Sequence, residues 1–128
     1  MIQPIHTTDA PAPGGHYSQA INYCALIFVS GQLAVNPTTG EKMLGSIEEQ
    51  TAQVLENMRQ ILLAAGSDID CVLKTTLFIS DMSLWDRVNR VYAGFFGDHK
   101  PARSIVPVKE LHYGFQIELE AIAVKKTG

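Results

Sequence analysis

The sequence predicts an α+β fold in which two amphipathic helices pack on one face of a sheet of about six strands. Three observations indicate this fold. Two segments carry apolar residues at helical spacing. Other segments either alternate between apolar and polar residues or are apolar throughout, over the length of a strand. Along the chain these segments follow the order strands, helix, strand, helix, strands. The 128 residues, 46% hydrophobic and 18% charged, predict one folded domain over residues 1–128.

The first half of the chain begins with short strands. In chain order they are residues 2–6, 20–23 and 24–35, with a hairpin turn near residues 22–24 and a second turn at residues 36–40. Residues 26–29 are apolar at every position, which predicts a strand covered on both faces. Gly31 interrupts this strand after Ser30, as a bulge or a close backbone approach would require.

The first helix begins after Ser46, which forms a capping-box pattern with Glu49. Gly66 ends the helix, and charged and amide residues occupy the side opposite its apolar stripe. The stripe consists of Ile47, Thr51, Val54, Leu55, Met58, Ile61, Leu62 and Ala65.

A strand over residues 71–79 and a second helix follow. Ser83 is the predicted N-cap of this helix, and residues 97–101 end it. Its residues at helical spacing are Trp85, Val88, Tyr92, Phe95 and Phe96.

Residues 101–125 predict two strands joined by a Gly-containing connection, and residues 115–121 alternate between apolar and polar. Arg103, near the start of the first of these strands, is placed to pair in space with a glutamate of the second. A guanidinium at the mouth of such a pair is suited to bind a small carboxylate.

Two helices can cover only one face of this sheet, yet several strands carry apolar residues for both faces. A sheet with so much uncovered apolar area is an association surface. We therefore expect an obligate homo-oligomer that buries the second face and carries sites at the seams between subunits.

Charge and composition exclude several classes of function. The net charge is −3 and the ten Lys and Arg residues are scattered, which argues against a nucleic-acid partner. The N-terminus lacks the pattern of a signal peptide, and the apolar runs are too short to cross a membrane. Cys24 and Cys71 are predicted to be buried, reduced thiols, so a cytoplasmic location is expected.

The sequence gives little support for a metal site or for a nucleophilic catalytic residue. His6, His16, His99 and His112 lack metal-ligand spacing, and no serine or cysteine stands in a recognised nucleophile motif. The remaining candidates are Tyr17, Ser30, Asn89, Arg103 and Glu118. Taken singly, each has a structural alternative: Tyr17 at the edge of the core, Asn89 facing solvent, and Arg103 in a surface salt bridge.

Considered together, these residues resemble the signature blocks of a known family, the reactive-intermediate deaminases, also called Rid or YjgF proteins. The resemblance covers essentially the whole chain, and the blocks follow the family's order. They are YSQA at 17–20, SGQ at 30–32, VNRVYAGFF at 88–96, PARS at 101–104 and IELEAIAV at 117–124.

The resemblance implies a chorismate-mutase-like α+β fold of the bacillus type, with a mixed, mostly antiparallel six-stranded sheet and two helices on one face. It implies a homotrimer with sites between subunits that hydrolyses 2-imino acids and enamines, such as 2-iminobutanoate and 2-iminopropanoate, to 2-keto acids and ammonia. No cofactor and no metal are expected.

The resemblance also implies roles for individual residues. Arg103 would bind the substrate carboxylate, Glu118 would position or activate the attacking water, and Tyr17 would help to enclose the substrate from a neighbouring subunit. The remaining lining would consist of Ser30, Gly31, Asn89 and Ile105.

The sequence departs from the family pattern at two positions. Ile105 stands where imine deaminases typically have Cys, and His16 stands where Pro is common. These changes keep open a second hypothesis, a trimer that binds small carboxylates without turnover, as a metabolite sensor would. A third, endoribonuclease or translation-inhibitor activity, is disfavoured by the charge.

Overall fold

Six strands form one mixed sheet, and two helices cover one of its faces, which confirms the predicted fold class. The computed structural model describes residues 1–127, so the last residue of the predicted domain, Gly128, lies outside the described residues. The strands are β1 (Ile2–Ile5), β2 (Ala20–Tyr23), β3 (Leu26–Gln32), β4 (Val72–Ile79), β5 (Ala102–Pro107) and β6 (Ile117–Val124). The helices are α1 (Ile47–Ala64) and α2 (Trp85–Phe96).

The strand order in the sheet is β1-β2-β3-β6-β4-β5. All neighbouring strands are antiparallel except β4 and β5, which are parallel. The crossover that parallel neighbours require contains α2. The last two strands are therefore not neighbours, contrary to prediction: β5 lies at the edge of the sheet, and β6 inserts between β3 and β4.

Helix α1 agrees with the prediction in detail. The Ser46 hydroxyl accepts a hydrogen bond from the backbone N–H of Glu49 at 3.1 Å, and Gly66 follows the helix with a positive φ of 80°. All eight residues of the predicted stripe are buried. The helix thus buries its apolar stripe against the sheet, where residues of β3 and β6 complete the core.

The predicted N-cap of α2 is wrong. The carboxylate of Asp81, not the hydroxyl of Ser83, caps the segment, and it accepts the N–H of Ser83 at 2.8 Å. This bond begins a short 3-10 turn, Met82–Leu84, from which α2 continues at Trp85. Asp and Ser are similarly good N-caps, so the sequence pattern alone did not decide between them.

Two strands are shorter than predicted. The strand expected over residues 24–35 ends at Gln32, and the strand expected from Cys71 begins at Val72. Cys71 instead lies half-buried at the end of a 3-10 turn. Cys24 is exposed, contrary to prediction, because it occupies the tight β2–β3 turn with a positive φ of 55°.

The sheet face opposite the helices carries apolar side chains that nothing in the chain covers. Tyr23 is 51%, Leu26 37%, Phe28 42% and Val106 38% exposed, whereas the alternate residues Ile27 and Val29 are buried. The prediction that residues 26–29 are covered on both faces is therefore wrong for the single chain.

Within the described residues, no helix is long and apolar enough to cross a membrane.

Candidate active site

Arg103 is held by residues of α2 on the helix-covered side of the sheet. It lies opposite Thr75 of β4, and its Nη1 donates to Asn89 Oδ1 at 2.8 Å. The guanidinium carbon lies 4.8 Å from the ring centroid of Tyr92 and 5.6 Å from that of Trp85. Asn89 therefore does not simply face solvent. We call Asn89, Arg103 and Ile105, together with the two aromatic rings, the clamp cluster.

Tyr92 is itself fixed in the clamp cluster. Its hydroxyl shares a 2.6 Å hydrogen bond with the Thr75 hydroxyl in the core. Burial raises the pKa of Tyr92, against the opposing effects of that hydrogen bond and the positive charge of Arg103. The phenol thus stays neutral, and its ring supports the guanidinium through a cation–π contact.

No carboxylate among residues 1–127 lies within salt-bridge distance of Arg103, so the predicted alternative of a surface salt bridge is wrong. A guanidinium has five N–H donors, and one of its terminal nitrogens is engaged by Asn89. Ile105, two residues along β5, is half-buried and packs against the core. The cluster therefore holds a partly exposed cation in a fixed orientation.

A second cluster forms on the other side of the sheet around Gly31. The β3–β6 register shifts between Val29 and Gln32, which confirms the predicted irregularity. A Cβ at Gly31 would lie 3.0 Å from Cδ and 3.4 Å from Cγ of Glu118, and closer still to its Oε2. The Glu118 carboxylate thus occupies the space that a side chain at position 31 would take.

The pKa of Glu118 is raised above its ordinary value. Burial of the carboxyl group is the main cause, and the nearby negative charge of Glu120 adds to it, while His112 acts in the opposite direction. A carboxylate with a raised pKa is a stronger base, as general-base chemistry requires.

Ser30 and Tyr17 lie beside this second cluster. The Ser30 hydroxyl donates to the backbone carbonyl of Ser18 at 2.6 Å, so its lone pairs remain available as acceptors. Tyr17 is 51% exposed, and its hydroxyl accepts the N–H of Gly14 at 3.2 Å. We call Tyr17, Ser30, Gly31 and Glu118 the carboxylate cluster.

Arg103 and Glu118 do not meet within one chain, contrary to prediction. Arg103 shares the face of Thr75, which hydrogen-bonds to α2, whereas Glu118 lies opposite Phe78 and alternates with the buried Ile117 and Leu119. The side-chain period of a strand places such residues on opposite faces. The structure therefore holds the predicted site residues in two separate clusters.

Gln19 is a site-supporting residue that the sequence interpretation did not single out. It is buried, and its amide accepts from Thr7 N–H at 2.7 Å and donates to the carbonyls of Thr7 and Pro11 at 3.0 and 2.9 Å. These bonds fix the loop that leads to Tyr17. The available signal was its place in the YSQA block, directly before β2.

An open groove of about 540 Å³ adjoins the carboxylate cluster. Its lining includes Pro11, Tyr17, Gly31, Lys42, His112 and Tyr113. His112 and Tyr113 were not assigned a role by the sequence interpretation.

Across residues 1–127, no group of three or more His, Cys, Asp or Glu side chains is arranged to hold a metal ion.

Comparisons with known proteins show the family of this chain. Residues 7–125 match the family model described as endoribonuclease L-PSP. A RutC family protein of Pyrococcus horikoshii is 46% identical over 126 residues, which cover 98% of this chain and 100% of the relative. The human 2-iminobutanoate/2-iminopropanoate deaminase is 39% identical over 121 residues, covering 94% and 88% of the two chains.

Solved structures give the same result. A yeast protein, YEO7, superposes with a TM-score of 0.95 at 39% identity and covers 98% of this chain and 100% of its own. TdcF of E. coli, solved with bound serine, has a TM-score of 0.92 at 37% identity, with 97% and 99% covered. The chain therefore belongs to the endoribonuclease L-PSP family, the YjgF or Rid proteins, which confirms the family prediction.

Proposed function

We propose that this protein hydrolyses reactive 2-imino acids and their enamine tautomers, including 2-iminobutanoate and 2-iminopropanoate, to 2-keto acids and ammonia. The observation that carries the proposal is Arg103, a guanidinium oriented by Asn89 and two aromatic rings with no carboxylate partner among the described residues. Support comes from the names of the human and mouse relatives, both 2-iminobutanoate/2-iminopropanoate deaminases.

The chemistry assigns each residue a role. Arg103 binds the substrate carboxylate through paired N–H donors. Glu118, as the carboxylate, accepts a proton from water while the oxygen attacks the protonated imine carbon. Glu118 returns this proton to the nitrogen of the resulting carbinolamine, whose C–N bond then breaks as the hydroxyl loses its proton, which leaves the 2-keto acid and releases ammonia with one proton. No cofactor or metal is needed because a protonated imine is already electrophilic.

The two clusters lie on opposite sides of the sheet, so a complete site takes one cluster from each of two chains. A homotrimer supplies this arrangement if each subunit offers its clamp cluster to one neighbour and its carboxylate cluster to the other. The uncovered apolar face around Phe28 supplies the surface for such an assembly. Tyr17 and Ser30 then line the site from the Glu118 side, and Asn89 and Ile105 from the Arg103 side. We place the reaction in the cytoplasm.

A coupled assay tests the activity. A threonine dehydratase generates 2-iminobutanoate, and the rate of keto-acid release is measured with and without this protein. Acceleration is expected, and an unchanged rate would contradict the proposal.

Because charge-assisted hydrogen bonds contribute about 1.5–3 kcal/mol each, Arg103→Ala should lower kcat/KM by about two orders of magnitude or more. The matched control Arg90→Ala, an exposed arginine of the same helix as Asn89, should keep near-normal rates.

A second candidate is a carboxylate-binding protein with little turnover. It is favoured by Ile105, which replaces the cysteine typical of the imine-deaminase subgroup, and by the bound serine of the E. coli relative. Calorimetry with 2-ketobutanoate separates the two candidates. Binding that depends on Arg103, together with an unchanged rate of imine hydrolysis, would favour the sensor.

A further inference from the structure

We propose that the groove beside Gly31 binds the side chain of the substrate and selects 2-imino acids with an aromatic side chain. This inference rests on the proposed deaminase function and names the substrate class of the same site. It is carried by the groove's position, its size and the aromatic residues that line it.

The groove continues directly from the carboxylate cluster. Tyr17 and Gly31 line it, and the Glu118 carboxylate lies against Gly31. A substrate whose imine carbon sits beside Glu118 therefore directs its side chain along the groove. At about 540 Å³, the space falls in the range of about 300–1,000 Å³ typical of pockets for drug-sized ligands. The methyl or ethyl group of a small imino acid would fill only part of the groove that a single chain presents to the clamp cluster of its neighbour.

His112 and Tyr113 give the groove an aromatic surface. The rings of His112 and Tyr113 pack with centroids 3.7 Å apart, and Lys42 Nζ lies 4.5 Å from the centroid of the Tyr113 ring. Phe115 meets the same ring edge-on at 6.2 Å. Tyr113 is nevertheless 55% exposed. A ring that these neighbours hold in place and that stays more than half exposed offers apolar surface for contact with a second ring.

The backbone at Tyr113 is unusual. Its φ is 59°, and Gly114 follows at 81°. A bulky residue in the left-handed region is uncommon and costs energy, and such residues concentrate at binding sites. Asn would adopt this backbone conformation more readily than Tyr. The backbone alone therefore does not account for a tyrosine here, and its ring is the feature that distinguishes this position.

Charge argues against an acidic side chain in the groove. The Glu118 carboxylate lies against Gly31, which lines the groove, and it would repel a second carboxylate placed near it. Lys42 could attract one, but its ammonium lies over the Tyr113 ring at an exposed site, where ion pairs contribute little. Aromatic contacts are therefore the stronger source of selectivity.

An amino-acid oxidase assay tests this proposal. The oxidase generates imines from phenylalanine, alanine or glutamate, and semicarbazide traps the imine that escapes hydrolysis. We expect kcat/KM for the phenylalanine imine to exceed that for the alanine imine by about tenfold, given one to two aromatic contacts. Tyr113→Asn should lower this ratio by about fivefold, whereas Tyr113→Phe, which keeps the ring, should preserve it.

The outcomes separate the two proposals. If no imine is hydrolysed faster, the deaminase function fails and this inference fails with it. If the alanine imine is accelerated as much as the phenylalanine imine, or the glutamate imine is favoured, only the aromatic selectivity is overturned. Calorimetry gives a readout without turnover: phenylpyruvate should bind more tightly than pyruvate, and equal affinities, or an affinity unchanged by Tyr113→Asn, would contradict the proposal.

Discussion

At Gly31, the missing side chain determines where the Glu118 carboxylate can lie. Any Cβ there would meet the carboxyl group of Glu118, which sits at the flexible end of its side chain. The fold can accommodate Gly31→Ala by moving the carboxylate, but in the proposed reaction that movement would displace the general base. The sequence indicated a close approach at Gly31, and the sheet pairing shows that the approaching group is Glu118.

Gly31→Ala should therefore reduce activity much more than stability. A displaced Glu118 carboxylate is no longer oriented toward the attacking water, and a misplacement of about 1 Å can lower the rate about a hundredfold. Thermal unfolding should change little because the carboxylate can shift. The matched control is Gly94→Ala, where a Cβ would meet nothing within 4 Å. Equal loss of activity in both variants, or an active Gly31→Ala, would contradict this role.

The pH dependence of the reaction should report Glu118. Its pKa is raised, so the carboxylate is lost, and kcat/KM falls, at a higher pH than for an ordinary glutamate. Glu120→Gln removes the neighbouring negative charge and should move this acidic limb to lower pH. The measurement is a pH–rate profile of both proteins, with Glu110→Gln, an exposed carboxylate that does not contribute to the pKa shift of Glu118, as control. An acidic limb that does not move would remove Glu118 as the titrating group.

Among the elements, the helices were the most predictable. The stripe of α1 and the caps at Ser46 and Gly66 are local patterns, and the structure confirms them. The arrangement of the last two strands was not predictable from local periodicity. It depends on α2 crossing over to place β5 parallel to β4, which leaves β6 to pair between β3 and β4. This arrangement puts Arg103 and Glu118 on opposite faces.

The contact between the helices includes an exposed ion pair. Arg87 of α2 donates to both carboxylate oxygens of Glu48 of α1, at 2.8 and 2.7 Å. This hydrogen bonding lowers the pKa of Glu48 from 4.5 to about 2. The pair links the start of α1 to α2, the helix that carries Asn89.

The contribution of this pair to stability should depend on pH. Because the folded-state pKa is lowered, the contribution is present above pH 4.5 and is lost as the pH falls through about 2. Urea unfolding of wild type and Glu48→Gln should show a small difference at neutral pH that shrinks on acidification. Arg87→Gln is the matched control and should behave in the same way. A difference that is constant with pH would contradict the assignment.

At the scale of the whole molecule, the uncovered apolar face explains why the sequence predicts association. Two helices cover one side of six strands, and Tyr23, Leu26, Phe28 and Val106 remain exposed on the other. The number and symmetry of the subunits do not follow from one chain, because they depend on how the faces of separate copies match. The homotrimer stays a prediction.

The separation of the clamp and carboxylate clusters leads to the central claim, that each active site combines Arg103 of one chain with Glu118 of another. Complementation tests it most directly. Arg103→Ala and Glu118→Ala chains are each inactive alone in this account. When they are co-expressed and assembled at random, about a quarter of the subunit seams should unite an intact Arg103 with an intact Glu118, whatever the ring size.

The measurement is imine hydrolysis by the co-assembled variants in the dehydratase-coupled assay, compared with each variant alone and with wild type. Recovery of about a quarter of the wild-type rate is the expected result. Mass photometry of the same sample confirms that mixed oligomers have formed. Mixed oligomers with no activity above that of the separate variants would contradict a site shared between chains.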